Sequence, residues 1–204
     1  MGKRIILASA SRDRKRLLQA IGLTFEILPS NFEEVTSTTG NPIEIVTSNA
    51  RGKALVIAEQ LRDENADALV IGADTVVVFR GQIIGKARHQ FEAFQILQKL
   101  AGQTHQLLTG CCVIDVQSQI SKAFVDTTDV TFAPITEEDI WHYLEFNDEY
   151  RGRAGAYSLQ DRASLFVTNI VGSPTNVIGL PISKLRDTLL SFGVNLLAGD
   201  LCTR

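Results

Sequence analysis

Two apolar runs, Leu69-Val70-Ile71 and Val76-Val77-Val78-Phe79, meet at Gly72-Ala73-Asp74-Thr75, and this junction constrains the rest of the chain. Both runs have the length and β-branched density of buried strand, and Arg80-Gly81-Gln82 is a tight-turn signal leading into Ile83-Ile84. Asp74 therefore interrupts a buried strand, with apolar neighbours on both sides. An acid in that setting costs several kcal/mol unless it is paired, metal-bound or at the solvent end of the strand. Two readings stand at this point: a site carboxylate, or an aspartate that turns the chain at the strand edge. What separates them is positive charge brought to Asp74. With a tight turn, Lys86 at the far end of the hairpin is the nearest cation.

A chain of 204 residues with 45% hydrophobic content has the apolar material for a real core, and it suits one soluble α/β domain over 1–204. Its net charge of −3 and pI near 5.6 argue against a nucleic-acid duplex or an anionic membrane surface as partner. Positive charge clusters at the N-terminus, without the interleaved aromatics of a nucleic-acid-binding segment. The three cysteines, two of them the vicinal Cys111-Cys112, form no disulfide framework or metal-ligand spacing; they read as structural and point to a reducing compartment. No signal-peptide pattern is visible and no apolar run nears the roughly 18 residues of a spanning helix, so a cytoplasmic location is expected.

The N-terminal residues 3–8 read as a strand, Ser9-Ala10-Ser11 as a turn, and the following residues as a helix capped by Ser11 with Leu17, Leu18 and Ile21 buried and Gly22 at its end. Free N–H groups at such a turn make an anion site that Ser9, Ser11 and nearby arginines would reinforce. The same pattern also fits an ordinary capped helix with a solvated basic face, in which Asp13 stabilises the first turn. Residues 24–29 alternate as a second strand, and Glu33 and Glu34 fall in the loop after it. A long helix should open at Asn41-Pro42 and run to about Leu61, with Val46, Ala50, Ile57, Ala58 and Leu61 on one face. Lys53 lies inside that stripe, where it either snorkels out along its own stem or points at a buried anion.

Further on, residues 91–101 form a helix stopped by Gly102, and residues 104–116 and 123–132 form a long antiparallel ribbon. His89 and His105 lack metal-ligand spacing and read as surface or capping residues. Thr136 caps a helix carrying Trp141 and Tyr143, and residues 164–170 read as strand. Between them, residues 151–160 are punctuated by glycine, which lets backbone come close to something. Residues 172–181 form a second such turn before a final helix that opens at Pro181 and ends near Phe192, after which the tail is expected to be loosely held. There is no internal repeat, Walker A sequence or dinucleotide fingerprint.

Taken in order, Leu7-Ala8-Ser9-Ala10-Ser11, Glu33-Glu34, Ala50-Arg51-Gly52-Lys53-Ala54, Gly72-Ala73-Asp74-Thr75, Gly85-Lys86, Gly102-Gln103-Thr104-His105, Thr109-Gly110, Ala154-Gly155-Ala156-Tyr157 with Gln160, and Gly179-Leu180-Pro181 resemble the motifs of the Maf family of nucleoside triphosphate pyrophosphatases. The likeness spans essentially the whole chain. It implies an elongated α/β fold with a long twisted mixed sheet flanked by helices, two lobes around a cleft, a divalent cation such as Mg²⁺ or Mn²⁺, and often a homodimer. It implies cleavage of a nucleotide to monophosphate and pyrophosphate, with Asp74 as catalytic carboxylate. Lys53, Lys86, Ser9, Ser11 and Arg14 would surround the phosphates, Glu34 and Asp74 would hold the metal, and water would attack the α-phosphorus, activated by Asp74 directly or by the metal. Thr75 and Gln160 are what the dTTP/UTP branch carries at its specificity positions.

The chain also departs from that pattern. Where the family usually has Ser-Pro-Arg-Arg, it has Ser11-Arg12-Asp13-Arg14; the usual Lys before Ala-Gly-Ala-Tyr is Arg153, and the Pro after Gly-Lys is Ala87. Charge is kept at Arg153 and reversed at Asp13. An ionised Asp only accepts hydrogen bonds, so Asp13 at the base would favour an exocyclic amine, as in CTP or a methylated GTP. Alternatively, Arg12 takes over and the dTTP/UTP preference is unchanged. A third reading is a weakly active nucleotide-binding regulator of cell division.

Overall fold

The computed structural model of the chain describes residues 2–146, 148 and 150–198. In chain order it contains β1 (Arg4–Leu7), α1 (Arg12–Ala20), β2 (Glu26–Ile27), α2 (Pro42–Asp63), β3 (Ala68–Phe79), β4 (Gln82–Ile84), α3 (Gln90–Leu100), β5 (Thr104–Asp115), β6 (Ser121–Phe132), α4 (Glu137–Phe146), a 3₁₀ turn (Arg162–Leu165), β7 (Val167–Val171), α5 (Pro174–Ile178) and α6 (Ile182–Leu190). Among the described residues seven strands form an open mixed sheet in the order β2-β1-β3-β5-β6-β7, with β4 paired to β3. This is the mixed α/β architecture that the resemblance implies. No helix among the described residues is long and apolar enough to cross a membrane.

The helix starts follow from local chemistry. Ser11 Oγ accepts from the Arg14 N–H, Asn41 Oδ1 from the Ile43 N–H ahead of Pro42, and the His89 ring from the Glu92 N–H. At α4, Thr136 and Asp139 exchange bonds: the Asp139 N–H donates to Thr136 Oγ1 at 3.1 Å and the Thr136 N–H to Asp139 Oδ2 at 2.9 Å.

Along β3 one edge pairs with β5 almost throughout, whereas the other is shared: β1 runs parallel to residues 68–71 and β4 antiparallel to residues 77–79. Among the described residues, no strand pairs with residues 72–76 on that edge. The apolar core divides at the same place. On one sheet face, Leu69, Ile71 and Ala73 pack with α1 and α6, while Val77 and Leu107 pack with α3 and α4. The register pair Thr75 and Thr109 lies between these clusters. On the opposite face α2 covers the sheet, with Ala50, Ala54 and Ile57 against Val70 and Cys112, and Ile45 against Val78 and Leu108. There the dividing pair is Asp74 and Gly110. A polar line thus crosses the sheet where the covering of β3's edge changes hands, and two lobes form on either side of it.

Two glycines set how closely α2 approaches. A Cβ added at Gly72 would collide with the Ala50 carbonyl oxygen, and one at Gly110 with the Val46 carbonyl oxygen. Helix backbone therefore lies directly on strand backbone, close enough for a side chain of α2 to reach Asp74.

Several expectations need correction. The two apolar runs are one continuous strand of 12 residues, and Asp74 sits within its ladder. The second strand is only two residues long. Residues 162–165 are 3₁₀ because the burial period there is three: Ala163 and Phe166 are buried while Leu165 is 79% exposed. Within the second glycine turn lies the short helix α5. The tail is held as far as Leu196, since Val194 and Leu196 pack against the α1–α6 cluster; Cys202 lies outside the described residues. Cys111 and Cys112 are buried, and burial pushes both thiols up, Cys112 to about 11.

The close approach of α2 yields a stability test. Gly110→Ala should cost roughly 1–3 kcal/mol by overpacking, read by chemical denaturation. Gly85→Ala, where an added Cβ meets nothing within 4 Å, should be near neutral; equal losses at the two positions would remove the packing argument.

Candidate active site

Asp74 is 4% exposed and points at α2, so it is not an aspartate turning the chain at a wet edge. Two side chains on successive turns of that helix meet it. Lys53 Nζ donates to Asp74 Oδ1 at 2.9 Å and Asn49 Nδ2 to Asp74 Oδ2 at 2.9 Å. Lys53 also donates to the Ala73 carbonyl at 3.3 Å, on the strand edge that neither β1 nor β4 covers. The expected nearest cation was Lys86, and the structure corrects this. β4 ends at Ile84, and beyond it Lys86 turns to Glu34, whose Oε2 lies 3.3 Å from its Nζ. Sequence spacing within a hairpin ranks only local neighbours, whereas the partner arrives from a helix 21 residues earlier.

Glu34 completes the cluster. Its Oε1 lies 2.7 Å from Lys53 Nζ, so that ammonium is held between two carboxylates. Asn49 fixes the loop carrying Glu34: the Val35 N–H donates to Asn49 Oδ1 at 2.8 Å and Asn49 Nδ2 to the Val35 carbonyl at 3.1 Å. Burial raises the Glu34 carboxyl, but the hydrogen bond from Lys53 and the charges of Lys53 and Lys86 outweigh it and hold it below its ordinary value.

Behind the opposite sheet face, Arg14 is buried with all three nitrogens engaged. Nε donates to the Gly179 carbonyl at 2.8 Å, Nη1 to Ser9 Oγ at 3.0 Å and Nη2 to Thr75 Oγ1 at 3.1 Å. Burial lowers this guanidinium, with the charge of Asp74 the foremost opposing influence. Thr75 Oγ1 and Thr109 Oγ1 lie 2.9 Å apart, and Thr109 Oγ1 donates to the Asn176 carbonyl at 3.2 Å, tying α5 to the polar line.

These groups open into one cleft of about 320 Å³ lined by Ser9, Ser11, Asp13, Arg14, Glu34, Lys53, Asp74, Thr75 and Lys86, among others. Gln160 is not brought there. It is exposed and its backbone N–H donates to Ser158 Oγ at 3.4 Å. Asp13 reaches the rim, but both its oxygens accept from Arg153, at 3.1 Å each. Arg12 is exposed on the outer side, facing a separate cavity.

Sequence reasoning passed over Asn49 and Asn176, and it noted Arg153 and Tyr157 as motif residues without giving them a role in the site. Asn49 did carry a signal, a polar residue four before Lys53 and hence on the same helix face. Tyr157 lines the cleft, and its hydroxyl lies 2.8 Å from Nε2 of His105, a buried residue rather than the surface or capping residue expected. The β5 alternation turns His105 inward onto Phe132 and Tyr157 with edge-on ring contacts, and burial lowers its pKa to about 4.

A buried carboxylate bridged by lysine, in a cleft where parallel β1 and antiparallel β4 share one strand edge, defines a mixed α/β protein with a charged cleft, and the chain belongs to the Maf family. The model of that family, described as Maf-like protein, matches residues 4–192. Among its relatives are the dTTP/UTP pyrophosphatases of Bacillus cereus strain ATCC 10987 / NRS 248, 40% identical over 95% of this chain and 92% of that one, and of Bacillus anthracis, 40% identical over 95% and 98%. The Bacillus cereus strain G9842 protein of the same name is also 40% identical, over 95% and 98%.

Two predictions follow from the charges. Lys53→Met leaves Asp74 and Glu34 facing each other without their cation, so it should destabilise by roughly 2–4 kcal/mol, read by chemical denaturation; no measurable loss would show that the two carboxylates do not depend on that cation. Unfolded His105 takes up a proton near 6.5 and the folded residue near 4. Its contribution to stability is therefore complete above pH 6.5 and is lost as pH falls towards 4. His105→Gln keeps a partner for the Tyr157 hydroxyl and should flatten the denaturation free energy across that window, by on the order of 2 kcal/mol.

Proposed function

We propose that the protein hydrolyses a nucleoside triphosphate, dTTP or UTP, to the monophosphate and pyrophosphate. The observation that carries this reading is the Asp74–Lys53–Glu34–Lys86 chain of charges along one wall of the cleft. The substrate named for the Bacillus relatives supports the choice of dTTP or UTP. A triphosphate brings about four negative charges, and phosphoryl transfer is catalysed chiefly by positioning and by neutralising that charge. Lys53 and Lys86 supply cations, and the Ser9–Ser11 turn adds hydroxyls and backbone N–H groups at the start of α1.

In this reading water attacks the α-phosphorus, Asp74 accepts the proton, the bond from that phosphorus to the bridging oxygen breaks, and pyrophosphate leaves with the electron pair. Asn49 and Lys53 hold the Asp74 carboxylate oriented for the transfer. Glu34 and Asp74 are hard oxygen donors converging on one cationic centre, the Lys53 ammonium, so they suit a divalent cation such as Mg²⁺. When bound, such an ion would neutralise phosphate charge, with Glu34 and Asp74 as the residues that would hold it.

Asp74→Asn should keep the fold and lower turnover of dTTP or UTP by roughly 10² to 10⁴, measured as pyrophosphate release. Near-full activity in the folded variant would remove Asp74 from the chemistry, and no turnover by the wild type with any triphosphate would remove the proposed function.

A further inference from the structure

The two lobes are joined across the cleft mouth by an ion pair that the proposed chemistry does not use. Asp13 lies in the first turn of α1, in the lobe of Leu17 and Leu18. Arg153 precedes Ala154, Ala156 and Tyr157, which belong to the other lobe's cluster. Arg153 Nε donates to Asp13 Oδ2 at 3.1 Å and Nη2 to Asp13 Oδ1 at 3.1 Å, a two-pronged arrangement, and Nη2 also lies 3.1 Å from Asp161 Oδ2. The pair is largely out of solvent, its side chains 13% and 22% exposed.

Its position decides what it can do. The catalytic cleft, about 320 Å³, and an outer basin of about 680 Å³ lined by Arg12, Arg16 and Arg151 share Ser11, Asp13, Gly152 and Arg153. The ion pair is thus part of the partition between them. The wall it holds is irregular backbone: Gly152, Gly155 and Ala156 all have positive φ, at 70°, 72° and 60°, and among the described residues its strand-like tether is the Lys86–Ala154 bridge. Both carboxylate oxygens of Asp13 accept from Arg153, which turns the side chain toward the 150–161 wall.

We propose that Asp13 is a positioning residue acting through Arg153: the pair pins the 150–161 wall to the start of α1 and so sets the width of the cleft that holds the triphosphate. This rests on the pyrophosphatase reading for its kinetic consequence, but not for its structural one. A strap depends on opposite charges being present, not on which lobe carries which. A residue that touches substrate directly depends on its own charge.

The test is a charge swap with two readouts. In an Asp161→Asn background, which removes the carboxylate 3.1 Å from Arg153 that the swap would otherwise oppose, Asp13→Arg, Arg153→Asp and the double variant are compared by kcat and KM for dTTP and UTP, and by hydrogen exchange of the 151–161 amides in ligand-free protein. Each single variant should raise KM roughly tenfold while changing kcat far less, and should speed exchange in that segment. The double variant should return KM to within about threefold of the Asp161→Asn parent and restore protection. Singles that leave both KM and exchange unmoved would overturn the proposal. So would a double variant no better than the sum of the singles, the result for direct substrate contact. Should the reversals fail to fold, Asp13→Asn must reproduce the faster exchange and Asp13→Glu must not. If wild type turns over no triphosphate, the pyrophosphatase reading fails and exchange alone decides the strap.

Discussion

The ammonium of Lys53, shared between Asp74 and Glu34, is the interaction on which the site depends. A carboxylate in the middle of a buried strand is tolerable only with a cation and hydrogen-bond donors beside it. Here they come from successive turns of one helix, Asn49 and Lys53, and that helix reaches the strand only because residues 72 and 110 have no side chain to hold it off. Ion pairs of this depth add little net stability, since desolvation offsets most of the attraction. What they add is placement: the Asp74 side chain is aimed at α2 and held there by Asn49 and Lys53.

The same constraint shapes the lobes. Apolar clusters form wherever the alternation along β3 and β5 is unbroken, and they stop at Asp74–Gly110 on one face and Thr75–Thr109 on the other. Because β1 ends its pairing at Ile71 and β4 begins at Val77, backbone is left uncovered at the same residues. The cleft is where both the core and the sheet edge are interrupted. Arg14 then closes its floor, joining the β1–α1 turn, β3 and the end of α5 through three hydrogen bonds.

Much of this was legible in the chain. The strand around Asp74, the capped starts of α1, α2 and α4, the β5–β6 ribbon and the apolar stripe containing Lys53 all follow from periodicity and cap chemistry, which act over a few residues. Where reading failed, a distant partner had decided the matter. Lys86 is near Asp74 in sequence but meets Glu34, and His105 shows no local reason for burial until Phe132 and Tyr157 enclose it. Gln160 belongs to a familiar motif yet faces solvent, because the turn after Ser158 carries it off the cleft wall.

Asp13 marks the boundary between the two kinds of information. Pattern alone reads it as a first-turn acid, and only the family resemblance makes it a charge reversal; composition and spacing settle the α/β class, the helix caps and the anomaly of a carboxylate among β-branched residues. No local rule could say that Arg153, 140 residues later, would fill both its oxygens, or that Lys53 rather than Lys86 would answer Asp74. Propensity and capping are properties of neighbouring residues, whereas a buried charge is satisfied by whichever opposite charge the packing of helix on sheet brings within about 3 Å.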